Sequence, residues 1–534
     1  MQYGRLFRTV AHLRPVQVWR QVAMRLHKTP FRPEACPDGA GGRRGLVLPA
    51  AFIEKPVSMD GDTFTFLNLA QRFDDWNDTR LGMLWAYNLN YMDYLLQPGV
   101  SAFDGRMWID RFLRDLPART VGLDPYPTAL RLINWAKFHS LHYSGKDAPP
   151  AWRDAFYAQY RHLRRRLERH LLGNHLLEDA FGLYVAALHL GQPDRERLEA
   201  ARLLLGQLKE QTLADGAHYE QSPMYHCILL DRLLDCLNFA LAASAPEAEE
   251  LCGYAVRMLG HLDSIAWSDG TLPLFGDAAV GIAPTPDEIR AYAQRLGLSW
   301  QAVPMADSGY RKLADGALEL VADVGNVAAR YQPGHTHSDP LTFELRVGGQ
   351  PLVVDTGIST YEKNARRQYE RSYAAHNTAQ AGAADEPFEV WGGFRVGRTA
   401  RVRILADRPA HVEAQRRGKV KATRAFDLAD GTLKITDTLS APTATARFHL
   451  APGVEATVAD DGSVRTPLAT FRFEGEDVEV GLTPCEVSTE YNNLRPALCV
   501  EVRFSRRLTT TVSSNSNGKE STLRKDSCAD NGIR

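Results

Sequence analysis

The sequence predicts an all-α domain built as an α/α toroid, followed by an antiparallel β-sandwich. Three observations lead there. Apolar residues recur at helical spacing up to about residue 310 and alternate beyond it. Short Gly, Pro or Asp loops separate the helical segments, so neighbouring helices pair as hairpins. Gly-Gly and Asp-Gly turns punctuate the alternating part. A chain of 534 residues also exceeds one ordinary core. The expected limits are 1–310 for the toroid, 311–512 for the sandwich and 513–534 for a polar, disordered tail.

The first segment, "MQYGRLFRTVAHLRPVQVWRQVAMRLHK", reads as a basic amphipathic helix interrupted at Pro15. It lacks the apolar core of a secretory signal. The cytosol is the expected compartment, with the periplasm as the alternative. "MLWAYNLNYMDYL" (83–95) and "DPYPTALRLINW" (124–135) interleave aromatics with amides. Rings stack on sugar faces and amides bond hydroxyls, so Trp85, Tyr87, Asn88, Tyr126 and Arg131 are candidate substrate contacts, with helix–helix packing as the equal alternative. Six helical stretches follow, at 127–143, 155–172, 178–191, 195–213, 224–244 and 246–266. No fixed-period repeat accompanies them, which argues against a regular solenoid.

Two helix starts are chemically rich. "LGNHLLEDAFGLYVAAL" (172–188) carries Asn174, His175 and Glu178, readable as an active-site face or as ordinary N-cap chemistry. "DGAHYEQSPMYHCILLD" (215–231) carries Tyr225 just inside a helix that Ser222 and Pro223 should cap and start.

In the β part, "PGHTHSDPLTFEL" leads into a hairpin whose Gly348-Gly349 turn pairs Val347 with Gln350. Counting back sets Asp355 opposite Thr342, near His337, and His376 in "AAHNT" can join them. His, Asp and His suit Zn²⁺; polar groups satisfied at strand ends are the alternative. Arg366, Arg367 and Arg371 in "NARRQYERSYAAHN" are either contacts for substrate carboxylates or sulfates, or a solvated loop.

Composition excludes several classes. The net charge of −1 gives no global field for nucleic acid. Seven cysteines without CxxC spacing argue against a disulfide scaffold or a cysteine zinc site. No apolar run is long enough for a spanning helix. Oligomeric state is not readable.

Taken in order, "NHLLE", "DGAHYEQSPMYH", "GDAA" (276–279), "HTHSDPLTFEL…VVDTG" and "HNT" resemble the heparinase II/III-like polysaccharide lyases over roughly residues 80–450. The segment "LWAYNLNYMDYL" looks most like the branch associated with bacterial exopolysaccharide or capsule clusters. The resemblance implies β-elimination at a uronic acid of an acidic polysaccharide. It implies catalytic roles for Asn174, His175, Glu178, Tyr225 and His335, and a mainly structural zinc at His337, Asp355 and His376. Two other readings stay open: a glycoside hydrolase using Glu178 with Glu220 or Asp277, and a non-catalytic polysaccharide-binding or assembly protein.

Overall fold

The protein is described by a computed structural model covering residues 2–26, 29–37, 45–116 and 121–515. Two N-terminal helices, α1 (Gln2–Val10) and α2 (Pro15–Leu26), precede a small three-stranded antiparallel sheet at Met59–Asp60, Thr63–Phe66 and Leu69–Arg72. That sheet corrects the expectation of an all-α first domain. Its strands are two to four residues long, too short for alternation to register in the sequence.

The helical domain continues through α3 (Met83–Tyr91), α4 (Ala102–Asp115), α5 (Pro125–His142), α6 (Pro150–Arg166), α7 (Gly173–His189), α8 (Asp194–Gln211), α9 (Pro223–Ala242), α10 (Ala248–Ile265) and α11 (Pro286–Arg295). Helices α5, α7 and α9 are buried almost all round and pack on one another. Helices α6, α8 and α10 alternate with them in the chain and bury one face each. An inner and an outer layer result, as a toroid requires. Proline opens α5, α6 and α9, where its fixed φ suits the first turn and no N–H is lost. These helices therefore begin one to five residues earlier than apolar periodicity alone indicates.

The sandwich begins at Tyr310. A four-stranded antiparallel sheet (Tyr310–Asp315, Leu318–Asp323, Phe343–Val347, Gln350–Val353) faces a nine-stranded one. The larger sheet is built on long strands at Thr432–His449, Ala469–Glu490 and Asn493–Ser514. Leu320, Phe343 and Leu345 of the first sheet share one core with Phe426, Ile435, Phe448 and Val502 of the second. The Asp430-Gly431 and Asp461-Gly462 turns sit between paired strands, as the sequence indicates. The last strand runs to Ser514, so the expected tail starts too early; positions 516–534 lie outside the described residues.

The Gly348-Gly349 hairpin does pair Val347 with Gln350. A bulge between Leu345 and Arg346 then slips the register by one, so the predicted Asp355–Thr342 opposition is not formed. A short helix, α12 (Ala365–Glu370), follows this hairpin and carries Arg366 and Arg367.

Candidate active site

A cavity of about 440 Å³ lies where the two domains meet. Toroid residues Tyr87, Tyr126, Asn174, His175, Glu178, Tyr225 and Arg232 line it, together with Gln332, His335, Tyr361, Phe394 and Tyr491 from beyond the toroid. Its walls are aromatic with a few polar groups, the usual make-up of a small-molecule or sugar site.

Asn174 enters from the start of α7. It is not the N-cap; Leu172 holds that place with φ 61°, and Gly173 follows at the same φ. A side chain at 173 would also meet Glu220 Oε1 at 2.5 Å, so both backbone and space call for glycine. The tight start aims Asn174 at Glu220: its backbone N donates to Oε1 (2.8 Å) and its Nδ2 to Oε2 (2.7 Å). Nδ2 also lies 3.2 Å from His335 Nε2.

His335 belongs to the loop before the Phe343 strand. Its Nδ1 is 2.8 Å from Asp277 Oδ2. Asp277 also receives His337 Nε2 (2.8 Å) and both terminal nitrogens of Arg367 (2.5 and 2.7 Å). Burial raises the Asp277 carboxyl, but Arg367 and the two histidines outweigh it and hold it well below the usual carboxylate range. An ionised Asp277 accepts from His335 Nδ1–H. Nε2 then faces Asn174 Nδ2, with Glu220 Oε2 3.5 Å away.

Tyr225 sits in the first turn of α9, whose N-cap is Ser222. Its ring lies against His335, centroids 4.0 Å apart. Its hydroxyl is 3.3 Å from that of Tyr361. Burial pushes the phenol well above its ordinary value, so it rests protonated.

His175 meets Glu168 (Nδ1 to Oε2, 2.9 Å) and packs on Tyr126. Burial opposes its protonation, yet Glu168 raises its pKa overall. Glu178 does not orient His175. It lies beneath the cavity with no hydrogen-bond partner for either oxygen, 3.8 Å from Arg232 Nε. Burial pushes its carboxyl up to about 7 against the pull of Arg232. Below it, Lys55–Asp231 and Lys137–Asp235 form buried ion pairs at 2.8 Å each.

Several expected contacts lie elsewhere. Trp85 is core, its indole N–H donating to Leu69 O. Arg131 is fully buried and spends its guanidinium on Gln159, Asn90 O and Gly122 O. Arg366 pairs with Glu370 and Glu486. Arg367 holds Asp277, and Arg371 is buried against the carbonyls of Gly393 and Thr336. Tyr87, Asn88 and Tyr126 do face the cavity. Sequence reasoning raised Glu220 and Asp277 only as acids of a hydrolase, not as partners of Asn174 and His335, and it missed Glu168.

The zinc candidates are close together but differently arranged. His376 Nδ1 bonds Asp355 Oδ2 at 2.7 Å, and Asp355 Oδ1 takes Gly357 N. Asp355 is thereby engaged in holding His376, not standing as a free third ligand. His337 Nδ1 and His376 Nε2 are buried without partners, their rings 5.4 Å apart. Among the described residues no three His, Cys, Asp or Glu side chains form a ready metal cage. Two orphan imidazole nitrogens nevertheless suit zinc, with Asp355 fixing the tautomer of one of them.

Fold and site together define a toroid–sandwich protein with a sugar-sized cavity at the junction. The heparinase II/III N-terminus model matches residues 129–294, and the heparinase II/III-like C-terminal model matches 298–522. The chain belongs to the heparinase II/III-like family. It is 28% identical over 436 residues to FtsZ-localized protein C of Caulobacter vibrioides, covering 69% of this chain and 74% of that protein. It is 24% identical over 235 residues to the heparin-sulfate lyase of Pedobacter heparinus, covering 39% and 35%. A solved heparinase III superposes with TM-score 0.61 at 15% identity, covering 86% of this chain and 80% of that one. The heparan sulfate lyase of Pedobacter heparinus gives 0.55 at 15%, covering 95% and 88%. At these identities the structures speak for the fold.

Proposed function

We propose that this protein is a polysaccharide lyase that cleaves a uronic-acid-containing polymer by β-elimination. The observation that carries the reading is the meeting of Asn174, Tyr225 and His335 at one cavity, from two helix starts of the toroid and a loop of the sandwich. The family and the lyases among its structural neighbours support the same reaction class.

The proton to be removed, on C5, is α to a carboxylate. Its loss builds charge on that carboxylate, so a donor must meet it. Asn174 Nδ2–H, held in place by Glu220, moves from His335 Nε2 to the substrate carboxylate. His335 Nε2, free to accept because Asp277 keeps the proton on Nδ1, takes the C5 proton. The C5–H electron pair becomes the C4–C5 double bond and the C4–O bond breaks. Tyr225, resting protonated, donates to the departing O4. Below about pH 7 Glu178 is mostly protonated, which limits its repulsion of the developing charge.

Arg232 is the one arginine or lysine lining the cavity among the described residues, and it is tied to Asp231 and Glu178. A densely sulfated chain finds little there to pair with. The proposed substrate is a uronate polymer with few or no sulfates, in keeping with an exopolysaccharide. Zinc at His337 and His376 belongs to the proposal as a structural ion that would tie the loop before the Phe343 strand to the loop after α12. Metal analysis of protein purified without added zinc tests it. The cytosol, with the periplasm as alternative, remains the proposed compartment.

The hydrolase reading loses support, because Glu220 is spent on Asn174 and Asp277 on His335, His337 and Arg367. A non-catalytic assembly role draws on one observation, the relative named for localisation with FtsZ. Turnover of acidic polymers, read by the ultraviolet absorbance of unsaturated uronate, separates the two. Loss of signal in folded Tyr225→Phe and His335→Ala supports the lyase. Full rate in Tyr225→Phe removes the role given to that tyrosine.

A further inference from the structure

Helices α1 and α2 are amphipathic, but they attach the wrong way round for ordinary surface helices. Such helices bury the apolar face and expose the polar one. Here the polar residues face the body of the protein. Arg8 makes two hydrogen bonds to Glu389 (2.8 and 2.6 Å), Thr9 accepts from Trp391 Nε1, and His12 meets the carbonyl of Gly397. Arg14 pairs with Glu210 and stacks on Tyr331. Gln17 is fully buried and donates to Leu171 O. The apolar stripes are left outside. On α1, Tyr3 and Phe7 are 89% and 75% exposed; on α2, Trp19 and Leu26 are 60% and 73% exposed. Their spacing, with Val10 and Val22 completing it, is i, i+4, i+7 on α1 and i, i+3, i+7 on α2, one continuous stripe per helix.

Charge indicates what covers these stripes. Residues 2–26 contain five arginines and no acid; Arg5 and Arg8 pair with Glu389 and Arg14 with Glu210, so Arg20 and Arg25 carry the outward charge. Arg20 and Arg25 lie exposed beside the apolar stripe of α2, Arg20 against the Trp19 ring. Aromatic and long aliphatic side chains flanked by arginine, on helices too short to span, are the features of an element that lies in a bilayer interface. No helix among the described residues is long and apolar enough to cross a membrane. We propose that α1 and α2 form a docking arm for the surface of an anionic lipid bilayer. The arm is tied to the body through Leu171, which lines the cavity, so docking holds the site at the membrane surface.

Co-sedimentation of the full chain with vesicles tests this, using phosphatidylcholine alone and phosphatidylcholine mixed with phosphatidylglycerol. The expected result is binding to the mixed vesicles, about tenfold or more weaker on the neutral ones, and weakened by salt. Phe7→Glu/Trp19→Glu should abolish binding and Arg20→Glu/Arg25→Glu should reduce it. Because these side chains are exposed, the melting temperature should not change. No binding of the wild type to mixed vesicles at low salt overturns the proposal, as does equal binding by Phe7→Glu/Trp19→Glu. A wild-type dimer that Phe7→Glu/Trp19→Glu converts to monomer, without vesicle binding, assigns the surface to a second copy and also overturns it.

Discussion

Glu178 gives the protein a stability that should fall as pH rises. Its carboxyl, ordinarily at 4.5, is pushed up to about 7 by burial, with Arg232 only partly offsetting the cost. The native state therefore holds a proton that the unfolded chain releases. Stability from this group is full below the unfolded value and is lost between that value and about 7. Above that it is constant. The displacement corresponds to about 3 kcal/mol across the window. Glu178→Gln carries no charge to bury, so its stability should not change over that range on account of this site. In denaturant melts, the variant should gain on the wild type by up to about 3 kcal/mol between about pH 5 and about pH 8. A difference between the two proteins that stays flat with pH, or shrinks, would refute the burial argument.

Asp277→Asn should cut turnover by ~10–100-fold with modest change in substrate KM, since it loosens the His335 tautomer but touches no substrate. Arg367→Ala should destabilise by about 3–5 kcal/mol, because it leaves the buried Asp277 carboxylate without its main counter-charge; a chemical melt measures it. Asn174→Ala should lose activity with little loss of stability, and Glu220→Gln should follow it in direction, both read by initial rates and melting temperature. Chelator treatment should lower the melting temperature of wild type but not of His337→Ala if zinc sits at His337 and His376.

Much of the architecture was legible because period is a local property. The change from helical to alternating spacing near residue 310 marks the true start of the sandwich at Tyr310. The Gly348-Gly349 turn gave its hairpin register for the first pair, and the bulge after it was invisible because no residue type announces one at Leu345/Arg346. Ser222 and Pro223 fixed the start of α9 and with it the position of Tyr225. Burial was the weak point. Arg131, Arg367 and Arg371 read as candidate substrate contacts, since arginine seldom goes inside unpaired, and their partners lie far off in sequence or on backbone carbonyls. The sequence offered Glu220 and Asp277 as hydrolase acids, but their orienting partners were hidden: Glu220 is 46 residues from Asn174, and Asp277 is 58 from His335. Asn174 itself was ambiguous at the level of helix-start chemistry; a positive-φ leucine and glycine before it turned it from a cap into a cavity group.

The reaction itself can be observed without any variant. Purified wild-type protein, given a panel of acidic polysaccharides with and without sulfate, should release oligosaccharides ending in a ring with a double bond between C4 and C5, fastest on the least sulfated uronate chains. Saturated fragments with new reducing ends would mean that water, not elimination, breaks the bond, and intact polymer throughout would mean that the cluster of Asn174, Tyr225 and His335 no longer performs chemistry.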